Sequence, residues 1–323
     1  MKKNIFFGNS VKISLLSILA SIVFLTSGCS FIHPESRYLT KVSDEGFEGP
    51  FSVIITDSLI FSYSYGYILE VYSCTPSEPL TLLKYLESDG DLGSLKYDGK
   101  HLAAFKDSTL IIYHPVSLVR ICEEHVPYEY GSVEIDDTIL YFIPDYLYSD
   151  YIFVYRIDFQ LQSMTLIDSI FEPNTHELTR GLEFYFLLQN DSLFFCEMKI
   201  DSLKKIGGFS AQWITPRIKE DTVFFTSLGH QVYEYYVENG ILKSDTIVID
   251  ATSINMEDKG IGSVFPDDDF FYIIFMENNA DYLFAYSRKD RKFVSWIDEP
   301  GVWKCVANSY FLYTNTGIYK KPE

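Results

Sequence analysis

The sequence predicts an all-β fold, a β-propeller of four-stranded blades arranged in a ring, and three observations predict it. Almost every apolar run after residue 36 is four to nine residues long and bounded by Asp, Asn, Gly, Ser or Pro, the pattern of strands separated by tight turns. Aromatic residues reach 17%, with 25 Tyr and 26 Phe, and such bulky side chains suit a pleated, half-buried surface. A short phrase also recurs: ITDSLIF at 55–61, IDDTILYF at 135–142, QNDSLFFC at 189–196 and KEDTVFFT at 219–226. Asp and Asn tolerate left-handed backbone angles and bond their own chain two residues on, so the phrase reads as a turn followed by a buried strand.

The seven best strand starts of this kind are Leu59, Leu102, Ile139, Leu182, Val223, Phe270 and Tyr310. Their spacings are 43, 37, 43, 41, 47 and 40 residues, and a repeat of this length is that of a propeller blade. The QNDS copy lies too close to KEDT to begin a blade of its own. It is therefore read as the next turn along, with 182–188 as the second strand of blade four and 193–198 as the third. Seven blades result, with six as the alternative. Blade seven has three strands of its own, 302–307, 310–314 and 317–321. Residues 37–42 (RYLTKV) are expected to supply its outer strand and so close the ring, covering edges that would otherwise invite association.

The first residues form an address. Lys2, Lys3 and Lys12 precede an apolar or small-residue run from Ile13 to Leu25, short for a membrane span and right for a signal core. Leu25-Thr26-Ser27-Gly28-Cys29 then resembles a bacterial lipobox, although Thr26 stands where Leu, Val or Ile is usual. That resemblance implies cleavage before Cys29, a diacylglycerol on its sulfur and an acylated new N-terminus. Each buried CH₂ of such chains contributes roughly 0.8 kcal/mol, enough in sum for stable membrane anchoring. Residues 1–28 are thus expected to be leader, 29–36 a lipidated tether and 37–323 a single propeller domain. Ser30 after the cysteine is compatible with the outer membrane, and the periplasmic side is expected rather than the exterior. Lipobox and period together make the chain similar to divergent β-propeller lipoproteins of Bacteroidetes-type bacteria, a likeness without any diagnostic motif.

The formal charge is −19, which repels phosphate backbones, so nucleic acid is not an expected partner. Nucleophile-elbow, zincin and phosphate-loop motifs do not occur, and the six histidines show no ligand spacing. Cys74, Cys122, Cys196 and Cys305 lie far apart without a C-x-x-C pair, as expected of buried free thiols.

Candidate sites must come from turns. Asp57, Asp98, Asp136, Asp137, Asp221 and Asp267 to Asp269 all precede a second strand, and a propeller places such turns on one face. Most such carboxylates simply close a turn, but a ring of them could hold structural Ca²⁺, with Asp267, Asp268 and Asp269 the strongest local cation candidate. On the opposite face lie the turns between second and third strands. Tyr63 and Tyr65 in blade one, Asp145, Tyr146 and Tyr148 in blade three, and Asn278 and Asn279 in blade six are the binding candidates, joined by His230, expected near the central channel. Aromatic rings beside amides and carboxylates suit a protein partner or a glycan. The sequence reading is a membrane-anchored, non-enzymatic binding or scaffolding module of the cell envelope. An envelope enzyme or binder acting on polysaccharide is the alternative.

Overall fold

The computed structural model describes residues 37–43, 52–64, 68–87, 92–145, 147–210, 217–226, 230–254, 256, 258–277, 280–297, 301–302 and 305–322. These residues form seven sheets, each built on consecutive antiparallel strands running outward from the ring's axis. The chain is a seven-bladed β-propeller, as the period predicted.

The core is divided accordingly. Seven hydrophobic clusters lie one between each pair of neighbouring blades, including blades seven and one, where Phe311, Tyr313 and Ile318 pack on Ile60 and Cys74. Middle strands must then bury both faces, which is why they read as unbroken apolar runs rather than alternating ones. In blade three, strand Ile139–Pro144 sends Leu140 and Phe142 toward blade two, and Tyr141 and Ile143 toward blade four. In blade two, Leu102–Lys106 likewise directs Ala103 and Phe105 one way and Leu102 and Ala104 the other. All four cysteines after residue 36 are free and buried among these layers. Burial pushes the Cys122 thiol up to about 11 and the Cys196 thiol up to about 12.

Second strands begin at Leu59, Leu102, Ile139 and Phe270 as expected, and within one residue of expectation at Thr222 and Phe311. Blade four differs: its second strand is Tyr185–Gln189, three residues later than predicted. The cause is Asp221 of blade five, whose carboxylate accepts the backbone N–H groups of Glu183 and Phe184 and holds that stretch as a turn. The QNDS copy does form the next turn, leading into the third strand Ser192–Lys199.

The closing strand is also shared differently than expected. Lys41–Ser43 is the outer strand of blade seven, antiparallel to Ile318–Lys320. Arg37–Tyr38 instead runs parallel to Lys292–Trp296 and adds a fifth strand to blade six. Leu39 makes the crossing: its N–H donates to the Trp296 carbonyl and its side chain enters the core between blades six and seven. Gly317 lets the strand pass, since a Cβ there would lie 2.7 Å from the Ser43 carbonyl oxygen at a φ of 155°.

Candidate interaction face

The turns between first and second strands share one face, and their carboxylates reach sideways. Asp57 of blade one accepts the Ser309 N–H at 3.0 Å and its hydroxyl at 2.6 Å, from blade seven. Asp137 of blade three pairs with Lys100 of blade two at 2.9 Å. Asp136 takes Arg180 and the Tyr185 hydroxyl from blade four. Asp268 of blade six pairs with Lys219 of blade five, and Asp267 with Lys321 at the end of blade seven. Asp98 caps its own turn, accepting the Lys100 and His101 N–H groups. Most of these acidic turns therefore tie adjacent blades together. Two of the three cation candidates are engaged in this way: Asp268 pairs with Lys219, and Asp267 Oδ1 accepts the Asp269 and Phe270 N–H groups while its other oxygen faces Lys321 at 2.7 Å. Among the described residues no cluster of three or more His, Cys, Asp or Glu is placed to hold a metal ion.

Around the axis, inner strands of three blades meet at a charged cluster. Lys96 Nζ lies 3.4 Å from Glu134 Oε2, 3.1 Å from Glu177 Oε1 and 3.1 Å from Thr179 Oγ1. Burial holds the Glu134 carboxyl above its usual range, with Lys96 opposing, while the two carboxylates raise the Lys96 ammonium against its own burial.

The face opposite the acidic turns carries the exposed aromatic residues, and blade three gathers them. Tyr130, Leu147, Tyr148, Tyr151 and Phe171 are between 44% and 71% exposed. Tyr130 and Tyr148 lie with their ring planes 22° apart and centroids 6.4 Å apart, and Tyr151 meets Phe171 edge-on at 5.3 Å. The local sequence builds this. Asp145 Oδ1 accepts the Leu147 N–H and its carbonyl accepts the Tyr148 N–H, a tight turn that turns Leu147 and Tyr148 outward. The Asp145 N–H donates to the Tyr130 carbonyl, fixing the preceding connection beside it. Asp150 does the same on the other flank, accepting at its carbonyl from Glu172 N–H. The surface is thus apolar at its centre and acidic at its edge, with Glu129, Asp145 and Asp150 in its flanking turns, while Glu172 is turned in to Lys205.

Of the residues singled out from sequence, Tyr148 is brought into this surface and Asp145 shapes it. Tyr63 is not a surface residue: it is buried, and its hydroxyl accepts the Leu92 N–H at 3.0 Å. His230 is half-buried, with Nε2 2.6 Å from the Lys259 carbonyl oxygen. Cys29, Tyr65, Tyr146, Asn278 and Asn279 lie outside the described residues. Sequence reading did not bring Tyr130 and Phe171 to this place, because Tyr130 sits on the connection entering blade three and Phe171 ends the outer strand Ser163–Phe171, just before the connection leaving it. Those connections share a face with the turns between second and third strands, so pairing each long turn with its flanking connections finds them.

No protein-family model matches the chain, and no curated protein matches it. Among solved structures, the β-propeller domain of Cps50 (Swd1) from Myceliophteria thermophila is similar at 10% identity and a TM-score of 0.58, covering 87% of this chain and 98% of that one. The computationally designed Ika8 protein is similar at 8% identity and a TM-score of 0.59, over 88% of this chain and all of its own. The WD40 propeller domain of Doa1 gives 13% identity, a TM-score of 0.55 and coverage of 89% and 98%. At these identities the likeness is one of fold: the chain shares the propeller architecture of WD40 domains without their Trp-Asp repeat.

Proposed function

We propose that this chain is a lipid-anchored envelope lipoprotein that holds a protein partner on the aromatic surface of blade three. The observation that carries the reading is the exposure of Tyr130, Leu147, Tyr148, Tyr151 and Phe171 on one face of blade three, with Tyr130 beside Tyr148 and Tyr151 beside Phe171. Monomeric proteins rarely leave such patches without a use, and Tyr-rich, apolar centres with polar rims are the anatomy of contact sites. Leu147 and Phe171 have no polar handle, which favours a protein surface over a sugar. The lipobox supplies the anchor through Cys29 and would hold the ring at the outer membrane, facing the periplasm.

Crosslinking of the lipidated protein in its native membranes, followed by mass spectrometry, tests both halves. A stoichiometric partner is expected with the wild-type chain and is lost with Tyr148→Ala combined with Leu147→Ser, while Cys29→Ala releases the protein from the membrane. Retention of the partner by the double variant removes blade three from the reading. Retention of the Cys29 variant in the membrane removes the lipid anchor. Capture of glycan and no protein favours the polysaccharide alternative.

A further inference from the structure

On the opposite side of the ring a cleft of about 390 Å³ opens between blades five and six, lined by Glu234, Asp245, Ile247, Asp268, Phe271, Arg288, Lys289 and Arg291. Its two walls carry opposite charge. Glu234 and Asp245 face each other directly across the third and outer strands of blade five, and like charges so placed destabilise a sheet. The other wall is the turn between third and outer strands of blade six, Arg288-Lys289-Asp290-Arg291-Lys292, with four basic residues in five positions of an acidic chain. That turn is fixed by Ser287, whose hydroxyl accepts the Asp290 N–H and whose carbonyl accepts the Arg291 N–H.

Arg288 stands between the walls. Its guanidinium donates to the Asp267 carbonyl at 3.0 Å and to Glu234 at 3.4 Å, over the rings of Phe224 and Phe271 at 5.2 and 5.0 Å. One cation thus serves the floor. Asp245 has no basic partner within ion-pair distance among the described residues, and neither Lys289 nor Arg291 has an acidic one. Arg288 relieves Glu234 in part, whereas Asp245, Lys289 and Arg291 are charges that their described neighbours do not relieve, a local conflict of the kind that folds tolerate at working sites.

We infer that this cleft is a binding site for a small zwitterion, an amino acid or dipeptide, whose ammonium lies between Glu234 and Asp245 and whose carboxylate meets Lys289 and Arg291. A simple anion would be repelled by the acidic wall, and a simple cation by the basic one. Ile247 leaves a short apolar floor for the carbon skeleton, with Phe271 buried beneath the Arg288 guanidinium.

Titration calorimetry and ligand-observed NMR with alanyl-alanine on the purified protein test the site, beside N-acetyl-alanyl-alanine and alanyl-alanine amide. Each lost charge-assisted contact should weaken binding about tenfold or more, so both capped forms bind at least that much more weakly than the dipeptide. Asp245→Asn and the pair Lys289→Gln, Arg291→Gln should each weaken the dipeptide to the same degree. All three residues are exposed, so the variants keep the fold, and Asp245→Asn is expected to raise the melting temperature slightly by removing the Glu234 repulsion. Equal binding of the acetylated form makes the site a simple anion site and overturns the proposal, as does an absence of binding by the dipeptide. These readouts are independent of the blade-three surface.

Discussion

Replacing Lys96 by Met removes the one cation of the axial cluster while keeping the length of the side chain. In the native protein its ammonium serves Glu134, whose side chain is only 8% exposed, and Glu177, which is 48% exposed. Glu177 can turn to solvent and its share is small. Glu134 cannot, and breaking a buried pair by removing one partner costs about 3–5 kcal/mol. For a domain of this size that corresponds to roughly 5–8 °C in melting temperature. The sign of the pH dependence follows from the raised Glu134 carboxyl. Without Lys96 its folded pKa moves further above the unfolded value of about 4.3, so the folded state binds the extra proton. The penalty is then absent below the unfolded pKa, grows as pH rises through the interval between the two, and is complete above the folded pKa. Thermal unfolding of wild type and Lys96→Met, compared at pH 8 and again near pH 5, should show a difference that shrinks on acidification. Adding Glu134→Gln should recover most of the loss at pH 8. A deficit of equal size at both pH values, or one that Glu134→Gln does not repair, refutes the reasoning.

Other contacts make narrower predictions. Lys321→Met leaves the buried Asp267 carboxylate without its cation at the seam of blades six and seven. A loss of about 3 kcal/mol is expected in denaturant unfolding, with the last strand the first to gain hydrogen-exchange rate. Gly317→Ala places a methyl against the Ser43 carbonyl and should cost about 1–3 kcal/mol, read as a lower melting temperature together with faster proteolysis ahead of Lys41. Asp57 is held below its ordinary range chiefly by the Ser309 hydroxyl and amide, so its contribution is present above pH 4 and fades as pH falls through the folded value. Being largely exposed, it is worth at most about 1 kcal/mol. Asp57→Asn should therefore narrow the gap between melting temperatures at pH 7 and pH 3.

The blade repeat was legible because each middle strand is buried on both sides by its neighbours, which forces runs such as LAAF and ILYFI into the sequence at a fixed period. Register errors appeared where a tertiary contact decided a local question. The start of blade four is set by Asp221, a residue of another blade, and the split of 37–43 between blades six and seven is set by the insertion of Leu39. Neither leaves a local signal. The site was half legible for a related reason. PDYLYSDY announces itself as a long aromatic turn, whereas Tyr130 and Phe171 are single residues whose importance depends on adjacency in space. Tyr63 shows the converse error. An aromatic in a turn-rich stretch reads as exposed, and only the approach of Leu92 from blade two shows that its hydroxyl is committed to the interior.

The two faces of the ring differ in what their polar groups are free to do. On the face of the acidic turns, Asp57, Asp136, Asp137, Asp221 and Asp268 each spend a carboxylate on a neighbouring blade, so substitution there trades directly against ring integrity. On the aromatic face, Asp145 and Asp150 bond only to nearby main chain of the surface they frame, and Tyr130, Leu147 and Tyr148 keep large exposed areas. A ring stitched on one side and left open on the other can lose side chains on the open side at little cost in stability. Tyr148→Ala should accordingly leave the melting temperature within about 2 °C of wild type, while Asp221→Ala, which frees the Glu183 and Phe184 amides, should lower it by clearly more. A large fall for Tyr148→Ala would mean that the tyrosine packs the blade rather than awaiting a partner, and the binding surface would have to be sought elsewhere on the ring.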